Sequence, residues 1–317
     1  MSENNPLVSI IVRTKDRPKL LKRSLQSIAA QTYKPIEVIL VNDGGCDLDI
    51  EELKSIFGAV SLNYVRLEKN TGRAHAGNVG IENAQGQYVG FLDDDDIFYN
   101  EHVQLLVSLL NQIDYKVVYS DSLMVYKEFN TENYELHDTK KELLFSNDFD
   151  YNRLVFENYI PFMCLLFERG TLLEAKGFDT TFDLYEDWDL LLRLGEKNVF
   201  YHLRKTTANY NQWNSELQIS QGMRDQSLLR HSYIKIVSKH INKITPDRIH
   251  DYMGGYVHAR TLLKEKEGLV TDLQKKFEEK DIQINALKEE KDIQINALKE
   301  EKDIQINALK EEKDIQI

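Results

Sequence analysis

The chain has 317 residues, of which 42% are hydrophobic and 29% are charged, and its formal net charge is -12. These values are typical of one large globular domain or of two smaller ones. The acidic balance excludes a general nucleic-acid-binding protein, which needs a basic face, although a single nucleotide accompanied by a metal ion is still a suitable ligand.

Cysteine usage and hydropathy indicate where the chain works. Cys46 and Cys164 are the only cysteines, and they lack the spacing of a metal site, so the sequence predicts a reducing compartment. No run of about 18 apolar residues occurs, so we expect neither a signal peptide nor a membrane-spanning helix. The sequence therefore predicts a cytoplasmic protein. Peripheral attachment to the inner face of a membrane is compatible with this predicted location.

Strand-like and helix-like segments alternate from the start of the chain. Short apolar runs predict strands over residues 7–13, 36–41, 62–67 and 87–92, with helices beginning near Pro18, Glu51 and Arg73. Alternation at this pace predicts the α/β class, with a mainly parallel central sheet and helices on both faces.

The later segments continue this pattern and then change. In chain order we expect a helix over 100–113, apolar runs at 116–120 and 123–129, and a polar loop over 131–150. A strand over 158–167, a helix from Tyr185 and a strand over 199–205 are expected next. Residues 224–265 are predicted to be helical, with a break near Pro246. The predicted organisation is an α/β domain over 1–215, a helical extension over 216–265 and a coiled coil over 266–317.

The tail of the chain is repetitive. The eleven residues KDIQINALKEE begin at Lys280, return at Lys291 and Lys302, and start a fourth time at Lys313. An eleven-residue period corresponds to about 3.67 residues per turn, which predicts a long helix with a right-handed supercoil. Over residues 280–317 such a helix is about 57 Å long. The chain stops inside a repeat, so we expect the native protein to continue.

Two apolar stripes run along this predicted helix. Ile284 and Leu287 fall on one side, and Ile282 and Ala286 fall nearly opposite. A coiled-coil dimer needs one seam, so two stripes favour a homo-oligomer that is a trimer or larger. A solitary charged helix and a disordered repeat are the alternatives.

Four carboxylates follow the fourth predicted strand. The apolar run ends at Leu92, and Asp93-Asp94-Asp95-Asp96 come directly after it. Aspartate is unfavourable inside strands and helices, so we expect a loop at the edge of the sheet where ligands bind. Repulsion among these side chains favours a bound cation, and their hard oxygens favour Mg²⁺ or Mn²⁺ together with a phosphate. The alternative is an acidic solvated turn.

Two further residues are expected at this edge. Asp43 follows the second predicted strand, and Arg73 opens a helix after a glycine turn. A carboxylate at a strand end can accept a hydrogen bond from the N–H of a nucleotide base. An arginine at a helix start can reach a phosphate, aided by the helix dipole.

Five sequence blocks resemble those of family 2 glycosyltransferases with the GT-A fold. In chain order they are VSIIVRTKDRP, EVILVNDGG, NTGRAHAGNVGI, FLDDDD and GFDTTFDLYEDWDLLLRL. Their order and spacing match the family over residues 7–213, roughly two thirds of the chain, and the tail is not covered. The resemblance implies a GT-A nucleotide-sugar-binding domain that catalyses glycosyl transfer.

The resemblance also implies nucleotide-binding residues. Thr14 and Asp16 match residues beside the nucleotide base, and Asp43 matches the carboxylate that recognises the base, typically uracil. Arg73 matches a basic residue near the base and the ribose or diphosphate.

The acidic run matches the DxD motif of the family. Asp95, with Asp93, is implied to hold the Mn²⁺ or Mg²⁺ ion that bridges the diphosphate, and Asp93 or Asp94 to lie near the ribose. In Glu186-Asp187, Asp187 matches the catalytic base and Glu186 lies beside it. The implied activity is metal-dependent, inverting transfer of a sugar from a nucleotide sugar, with a UDP-sugar favoured, to a hydroxyl group of a glycan or glycoconjugate.

One block departs from the family pattern. Many relatives carry Tyr-x-x-His after this helix, whereas the chain has Tyr210-Asn211-Gln212-Trp213. Residue 213 therefore does not supply the usual histidine contact near the metal or diphosphate, and His202 and His75 are the candidate substitutes.

Other interpretations stay open at this point. A non-catalytic oligomeric scaffold with a degenerate glycosyltransferase domain is compatible with the missing histidine. A sugar nucleotidyltransferase fits less well, because residues 13–17 contain no glycine. Trp188 is a candidate either for stacking on a sugar ring or for core packing.

Overall fold

The computed structural model describes residues 5–58, 60–129, 136–213 and 226–314. The chain forms two compact units, Met1–Arg248 and Ile249–Ile317. The first unit contains a central sheet with helices packed on it, and the second is helical.

The strands, in chain order, are β1 (Val8–Thr14), β2 (Ile36–Asn42), β3 (Ser61–Arg66), β4 (Tyr88–Asp93), β5 (Ile97–Phe98), β6 (Val117–Phe129), β7 (Leu136–Phe145), β8 (Leu165–Glu168) and β9 (Tyr201–Trp213). The α-helices are α1 (Pro18–Ala29), α2 (Ile50–Phe57), α3 (Arg73–Asn83), α4 (His102–Leu110), α5 (Tyr151–Leu154), α6 (Arg169–Glu174), α7 (Glu186–Gly195), α8 (Gln226–Lys239) and α9 (Pro246–Asp314).

The first half of the sheet is parallel. β1 lies between β2 and β4, and Arg13 pairs with Val41 on one side and Asp93 on the other. Every residue of β1 and β2 is buried, which explains why both strands are near-continuous apolar runs. The carboxyl ends of β1, β2 and β4 therefore meet at one edge of the sheet, as the sequence predicted.

The second half of the sheet is mixed. β8 pairs antiparallel with both β4 and β6, and β6 pairs parallel with β9 and antiparallel with β7. The described strands follow the order β3-β2-β1-β4-β8-β6-β9-β5, with β7 beside β6. The predicted α/β class is confirmed, with parallel pairing concentrated in β1 to β4.

Hydrophobic clusters cover both faces of this sheet. Ile11 of β1 belongs to the cluster that includes residues of α3 and α7, whereas its neighbours Ile10 and Val12 belong to the cluster under α1, α2 and α4. A Cβ atom at Gly80 of α3 would lie 2.3 Å from Cγ2 of Ile11. Glycine thus lets α3 lie directly on β1, which brings Arg73, at the start of α3, to the ligand-binding edge of the sheet.

The polar loop predicted over residues 131–150 is wrong for residues 136–145, whereas residues 146–150 form a loop as predicted. β7 occupies Leu136–Phe145 and pairs antiparallel with β6. Lys140 and Lys141 of this strand are exposed. Charged side chains are common on edge strands, which they protect from further pairing, and here they conceal the strand pattern.

Two other boundaries differ from the prediction. The strand expected over 158–167 begins only at Leu165, because Phe162–Cys164 form a 3₁₀ turn after Pro161. β9 continues to Trp213 instead of ending near residue 205, since its later residues pair with β6 and β5.

The predicted helix break near Pro246 is confirmed. α8 ends at Lys239, and α9 begins with the proline in its first turn. The described part of the repeats is helical, and Phe277, Ile282 and Leu287 are exposed apolar residues on α9. Supercoiling, oligomerisation and the domain boundaries at residues 215 and 265 stay predictions. No helix in the described part of the chain combines the length and apolarity needed to cross a membrane.

Candidate active site

A cleft of about 380 Å³ lies at the edge where β1, β2 and β4 end. Residues after β1, the loop before α3, the acidic run, residues before α7 and the end of β9 form its walls. The charged lining consists of Arg13, Lys15, Arg17 and Arg73 together with Asp43, Asp93, Asp95, Asp96 and Asp183. Cations and carboxylates at close quarters suit a ligand with a phosphate group and an accompanying metal ion.

The four aspartates of the acidic run do not share one environment. Asp93 and Asp95 are half-buried in the cleft wall, whereas Asp94 is fully buried beneath it. Thr14 donates a 2.6 Å hydrogen bond from its hydroxyl group to Asp94, and Nε of Arg17 donates another at 3.2 Å. Burial raises the pKa of Asp94, although Arg17 and Thr14 oppose the shift. Two residues implied to bind the nucleotide, Thr14 and Asp94, thus bind each other.

Arg17 also contacts the second carboxylate of the DxD motif. Its Nη1 lies 2.9 Å from Oδ2 of Asp95, while Nη2 contacts Asp94. A built-in cation therefore faces the oxygen that a metal ion is expected to bind.

Asp96 attaches the acidic run to β9. The backbone N–H of Asn211 donates to Oδ1 of Asp96 at 2.7 Å, and the Asn211 amide donates to the backbone carbonyl of Asp95 at 2.6 Å. Burial, followed by the charges of Asp95 and Asp93, raises the pKa of Asp96. The end of β9, which includes cleft residue Tyr210, is thereby fixed against the DxD motif.

A charge network joins the DxD motif to the Glu186-Asp187 pair. Arg13 lies 3.0 Å from Asp93 and 3.2 Å from Glu186, and Arg73 lies 3.3 Å from the same Glu186 oxygen and 3.8 Å from Asp93. The Glu186 carboxylate raises the pKa of Arg73. Burial opposes ionisation of Asp93, but Arg13 and Arg73 hold its pKa below the usual range. Glu186 is 1% exposed and faces two guanidinium groups. This arrangement suits a carboxylate that holds the two arginine side chains in place.

Asp187 has a different environment from its neighbour. Its Oδ1 accepts a 2.7 Å hydrogen bond from the backbone N–H of Trp188, and its Oδ2 accepts a 3.3 Å bond from the Asn158 amide. Burial, followed by the charge of Glu186, raises the pKa of Asp187 to about 6, while Arg73 opposes this shift. A carboxylate with a pKa near neutrality can accept a proton from a hydroxyl group.

The other residues implied to bind the nucleotide differ in how deeply they are buried. Asp43 is buried and accepts hydrogen bonds from the N–H of Thr71 at 2.7 Å and of Gly72 at 3.0 Å. It thus anchors the loop that precedes Arg73 while lining the cleft. Asp16 is exposed, has φ of 57° and accepts a bond from the N–H of Cys46. Its carboxylate joins the turn after β1 to the loop after β2.

The carboxylates fit a metal ion that is shared with a phosphate ligand. Among the described residues, no group of three or more His, Cys, Asp or Glu side chains is arranged to hold a metal ion by itself. Mg²⁺ commonly takes only one or two protein carboxylates and completes its shell with substrate phosphates and water. Asp93 and Asp95 in the cleft wall provide two such hard oxygen donors.

Other sequence candidates lie away from the cleft lining. His202 contacts Asp121 at 2.6 Å and Asp148 at 2.8 Å, and His75 is exposed on α3. Trp188 is 3% exposed and donates its indole N–H to the carbonyl of Leu154, so it packs in the core. The backbone of Trp213 ends β9, and its side chain lies outside the described residues.

Sequence reasoning missed several residues that line the cleft or contact Asp187. Arg13 and Arg17 lie at and just after the predicted end of the first strand. Their position at the ligand-binding edge of the sheet could have identified them as cleft residues. Asn158 and Asn211 carried no such signal, because their contacts join segments that are 29 and 115 residues apart.

Sequence comparisons identify relatives of the chain. The family described as "Glycosyl transferase family 2" matches residues 9–169. The uncharacterized glycosyltransferase YwdF of Bacillus subtilis is 32% identical over 187 residues, which cover 59% of this chain and 67% of YwdF. An uncharacterized glycosyltransferase of Rickettsia prowazekii is 29% identical over 201 residues, which cover 62% of this chain and 61% of that protein, less than two thirds of its length.

Solved structures share the fold. S. aureus TarS 1–349 in complex with UDP-GlcNAc has a TM-score of 0.55 at 18% identity, covering 73% of this chain and 66% of TarS 1–349. The mannosyltransferase PcManGT of Pyrobaculum calidifontis, in complex with GDP-Man and Mn²⁺, has a TM-score of 0.58 at 15% identity, covering 80% of this chain and 69% of PcManGT. The predicted GT-A fold is confirmed, and the chain belongs to glycosyl transferase family 2 as a glycosyltransferase.

Proposed function

We propose that the protein is a metal-dependent, inverting glycosyltransferase that transfers a sugar from a nucleotide sugar to a hydroxyl group of a glycan or glycoconjugate. The observation that carries this proposal is the charge network of Arg13, Arg73, Asp93 and Glu186, which joins the DxD motif in the cleft to the residue that directly precedes Asp187. Donor binding and proton removal are thereby assigned to adjacent parts of a single site.

The cleft lining supports a nucleotide-sugar donor. Asp95 and Asp93 would hold Mn²⁺ or Mg²⁺ at the diphosphate, and Lys15, Arg17 and Arg73 would bind its phosphate oxygens. The structures of TarS with UDP-GlcNAc and of PcManGT with GDP-Man and Mn²⁺ support both the donor class and the metal. A UDP-sugar is our proposal for the donor, since Asp43 matches the carboxylate that recognises uracil.

Transfer needs charge stabilisation on one side of the sugar and proton removal on the other. When bound, a divalent metal ion acts as a Lewis acid that stabilises the negative charge on the departing diphosphate. Arg13 and Arg73 hold the pKa of Asp93 below its usual range, which keeps this carboxylate ready to hold a cation, and Arg17 forms an ion pair with Asp95.

Asp187 acts as the general base. The acceptor oxygen attacks the anomeric carbon as its proton moves to the Asp187 carboxylate, and the bond from that carbon to the phosphate oxygen breaks. The nucleoside diphosphate leaves with the bonding electrons. Attack opposite to the leaving group inverts the anomeric configuration. Glu186 takes no proton in this scheme, because it is ion-paired with Arg13 and Arg73.

A donor panel tests the proposal. Purified protein is incubated with Mn²⁺, an acceptor glycan mixture and each of a set of nucleotide sugars, and released nucleoside diphosphate is measured with and without EDTA. We expect metal-dependent release from one donor. If every donor is inert and UDP with Mn²⁺ produces no thermal shift, the scaffold interpretation replaces this one.

A further inference from the structure

Asn158 contacts the proposed base from a separate segment of the chain. It lies between α5 and β8, and its Nδ2 is 3.3 Å from Oδ2 of Asp187. The other carboxylate oxygen, Oδ1, accepts the backbone N–H of Trp188 at 2.7 Å. Each oxygen of Asp187 therefore has one neutral donor, and two donors on different atoms fix the plane of the carboxylate. Hydrogen bonds of this kind are often long before substrate binds.

The amide of Asn158 is held in one orientation at a cost. Its Oδ1 is buried and has no hydrogen-bond partner in the described part of the chain. Turning the amide over would place Oδ1 against the Asp187 carboxylate, where two acceptors repel each other. A buried carbonyl without a partner destabilises a fold and is unusual in proteins. The contact with Asp187 thus determines the orientation of Asn158.

The charged groups around Asp187 leave a role for a neutral donor. Burial and, after it, the charge of Glu186 disfavour the ionised carboxylate, whereas Arg73 and, more weakly, Arg13 favour it, and the Tyr185 hydroxyl lies within electrostatic range. Both arginines are ion-paired with Glu186, which divides their effect. An amide N–H favours the ionised carboxylate without adding a charge to the acceptor side of the cleft.

We propose that Asn158 is a positioning residue, which orients Asp187 and stabilises its ionised form for removal of the acceptor proton. The inference rests on the proposed function, since it assumes that Asp187 is the base. It assigns to Asn158 a role in the reaction that involves no contact with the donor.

The test compares pH–rate profiles for Asn158→Ala and Asn158→Asp. Loss of one hydrogen bond to a charged carboxylate should move the acid limb of kcat for the alanine variant upward by about one pH unit, so that its deficit is about tenfold larger at pH 5 than at pH 8. The aspartate variant keeps the size of the side chain but places a second carboxylate beside Asp187. We expect its acid limb to move further than that of the alanine variant.

A space-filling role for Asn158 gives the opposite ranking. The nearly isosteric Asn158→Asp variant would then resemble wild type, and Asn158→Ala would lower kcat equally at every pH; either result overturns the inference. Asn158→Ser provides a third variant if alanine prevents folding. Asn152→Ala is the matched control, because Asn152 lies on α5 and accepts a bond from Arg248 away from the cleft. We expect the wild-type acid limb for this control.

The base assignment is checked separately with Asp187→Asn. If that variant retains turnover, the proposed base is wrong. If it abolishes turnover while the Asn158 variants keep the wild-type acid limb, the proposed function stands and only the role of Asn158 is rejected.

Discussion

Arg13 at the end of β1 donates a 3.2 Å hydrogen bond to Glu186 at the start of α7, although 173 residues separate them in the chain. Both side chains are buried, with 7% and 1% of their surfaces exposed. The contact joins the first block of the family motif to the last, and the same arginine contacts Asp93 of the DxD motif. In the proposed mechanism Glu186 therefore supports the site, and Asp187 acts as the base.

The first prediction concerns the stability that this contact provides. Glu186→Gln leaves the buried guanidinium of Arg13 without one of its two carboxylate partners and removes a charged partner from Arg73. Removing one member of a buried ion pair costs about 3–5 kcal/mol, so we expect a loss of about 3 kcal/mol in the free energy of unfolding. Urea denaturation followed by circular dichroism measures it.

The matched control is Glu157→Gln. Glu157 pairs with Arg153 at 3.0 Å, but 43% of its side chain is exposed. Exposed pairs of this kind contribute below about 1 kcal/mol. Equal losses for the two variants would contradict the structural role assigned to Glu186.

The second prediction separates catalysis from binding. Asp187→Asn keeps the shape of the side chain but removes its ability to accept a proton. We expect kcat to fall by about 10²–10⁴-fold, the usual contribution of a general base. Calorimetry should give a nucleotide affinity within about twofold of wild type, because Asp187 does not belong to the donor-binding lining. Weakened nucleotide binding together with normal turnover at saturating donor would mean that Asp187 binds the nucleotide and is not the base.

The third prediction follows from the pKa of Asp187, which burial and Glu186 raise to about 6. Only the ionised carboxylate accepts the acceptor proton. Turnover should therefore rise about tenfold per pH unit below pH 6 and level off above it. Initial rates between pH 4.5 and 8.5, at saturating donor and metal, measure the acid limb of the pH–rate profile. A half-maximal rate near pH 4 would point to a carboxyl group with an ordinary pKa as the base.

The fourth prediction concerns the metal. Asp95→Asn removes a hard anionic oxygen from the cleft wall, and we expect Mn²⁺ affinity measured by electron paramagnetic resonance with UDP present to fall at least about tenfold. EDTA should abolish turnover of the wild type, and added Mn²⁺ should restore it. Asp114→Asn, which alters an exposed acidic residue outside the cleft lining, is the control and should bind Mn²⁺ normally.

The sequence predicted the parts of the site that depend on local pattern. Apolar runs located the ends of β1, β2 and β4. Asp43 and Asp93 could be predicted as cleft residues because they lie at those strand ends. The direction of each side chain in the acidic run required the sheet itself. Burial of Asp94 depends on Arg17 and Thr14, which approach it from the end of β1.

Contacts between distant segments could not be predicted. The bond between Asn158 and Asp187 forms because the chain after α5 returns to the sheet edge, and an isolated asparagine gives no sign of this. β7 was missed for a related reason. As an edge strand it does not need a continuous apolar face, so its charged residues resembled those of a loop.

The fifth prediction tests the tail. Phe277, Ile282 and Leu287 are exposed apolar side chains on α9, and the repeat continues their pattern along the sequence. If these stripes join copies of the chain, a variant that ends at Glu279 should contain fewer copies per particle than the full chain, as given by the light-scattering mass divided by the mass of one chain. The same number of copies in both would exclude assembly through the repeats.

Deletion of residues 291–301 is the control for this experiment. It removes one complete repeat, and eleven residues correspond to about three helical turns, so the apolar stripes stay in line. The oligomer should therefore persist in this deletion. Deleting residues 291–295 instead turns the following stripe by about 140° relative to the preceding one, and we expect it to weaken the oligomer. Assembly that depends on the phase of the repeat, and not only on its length, would establish the stripes as the interface.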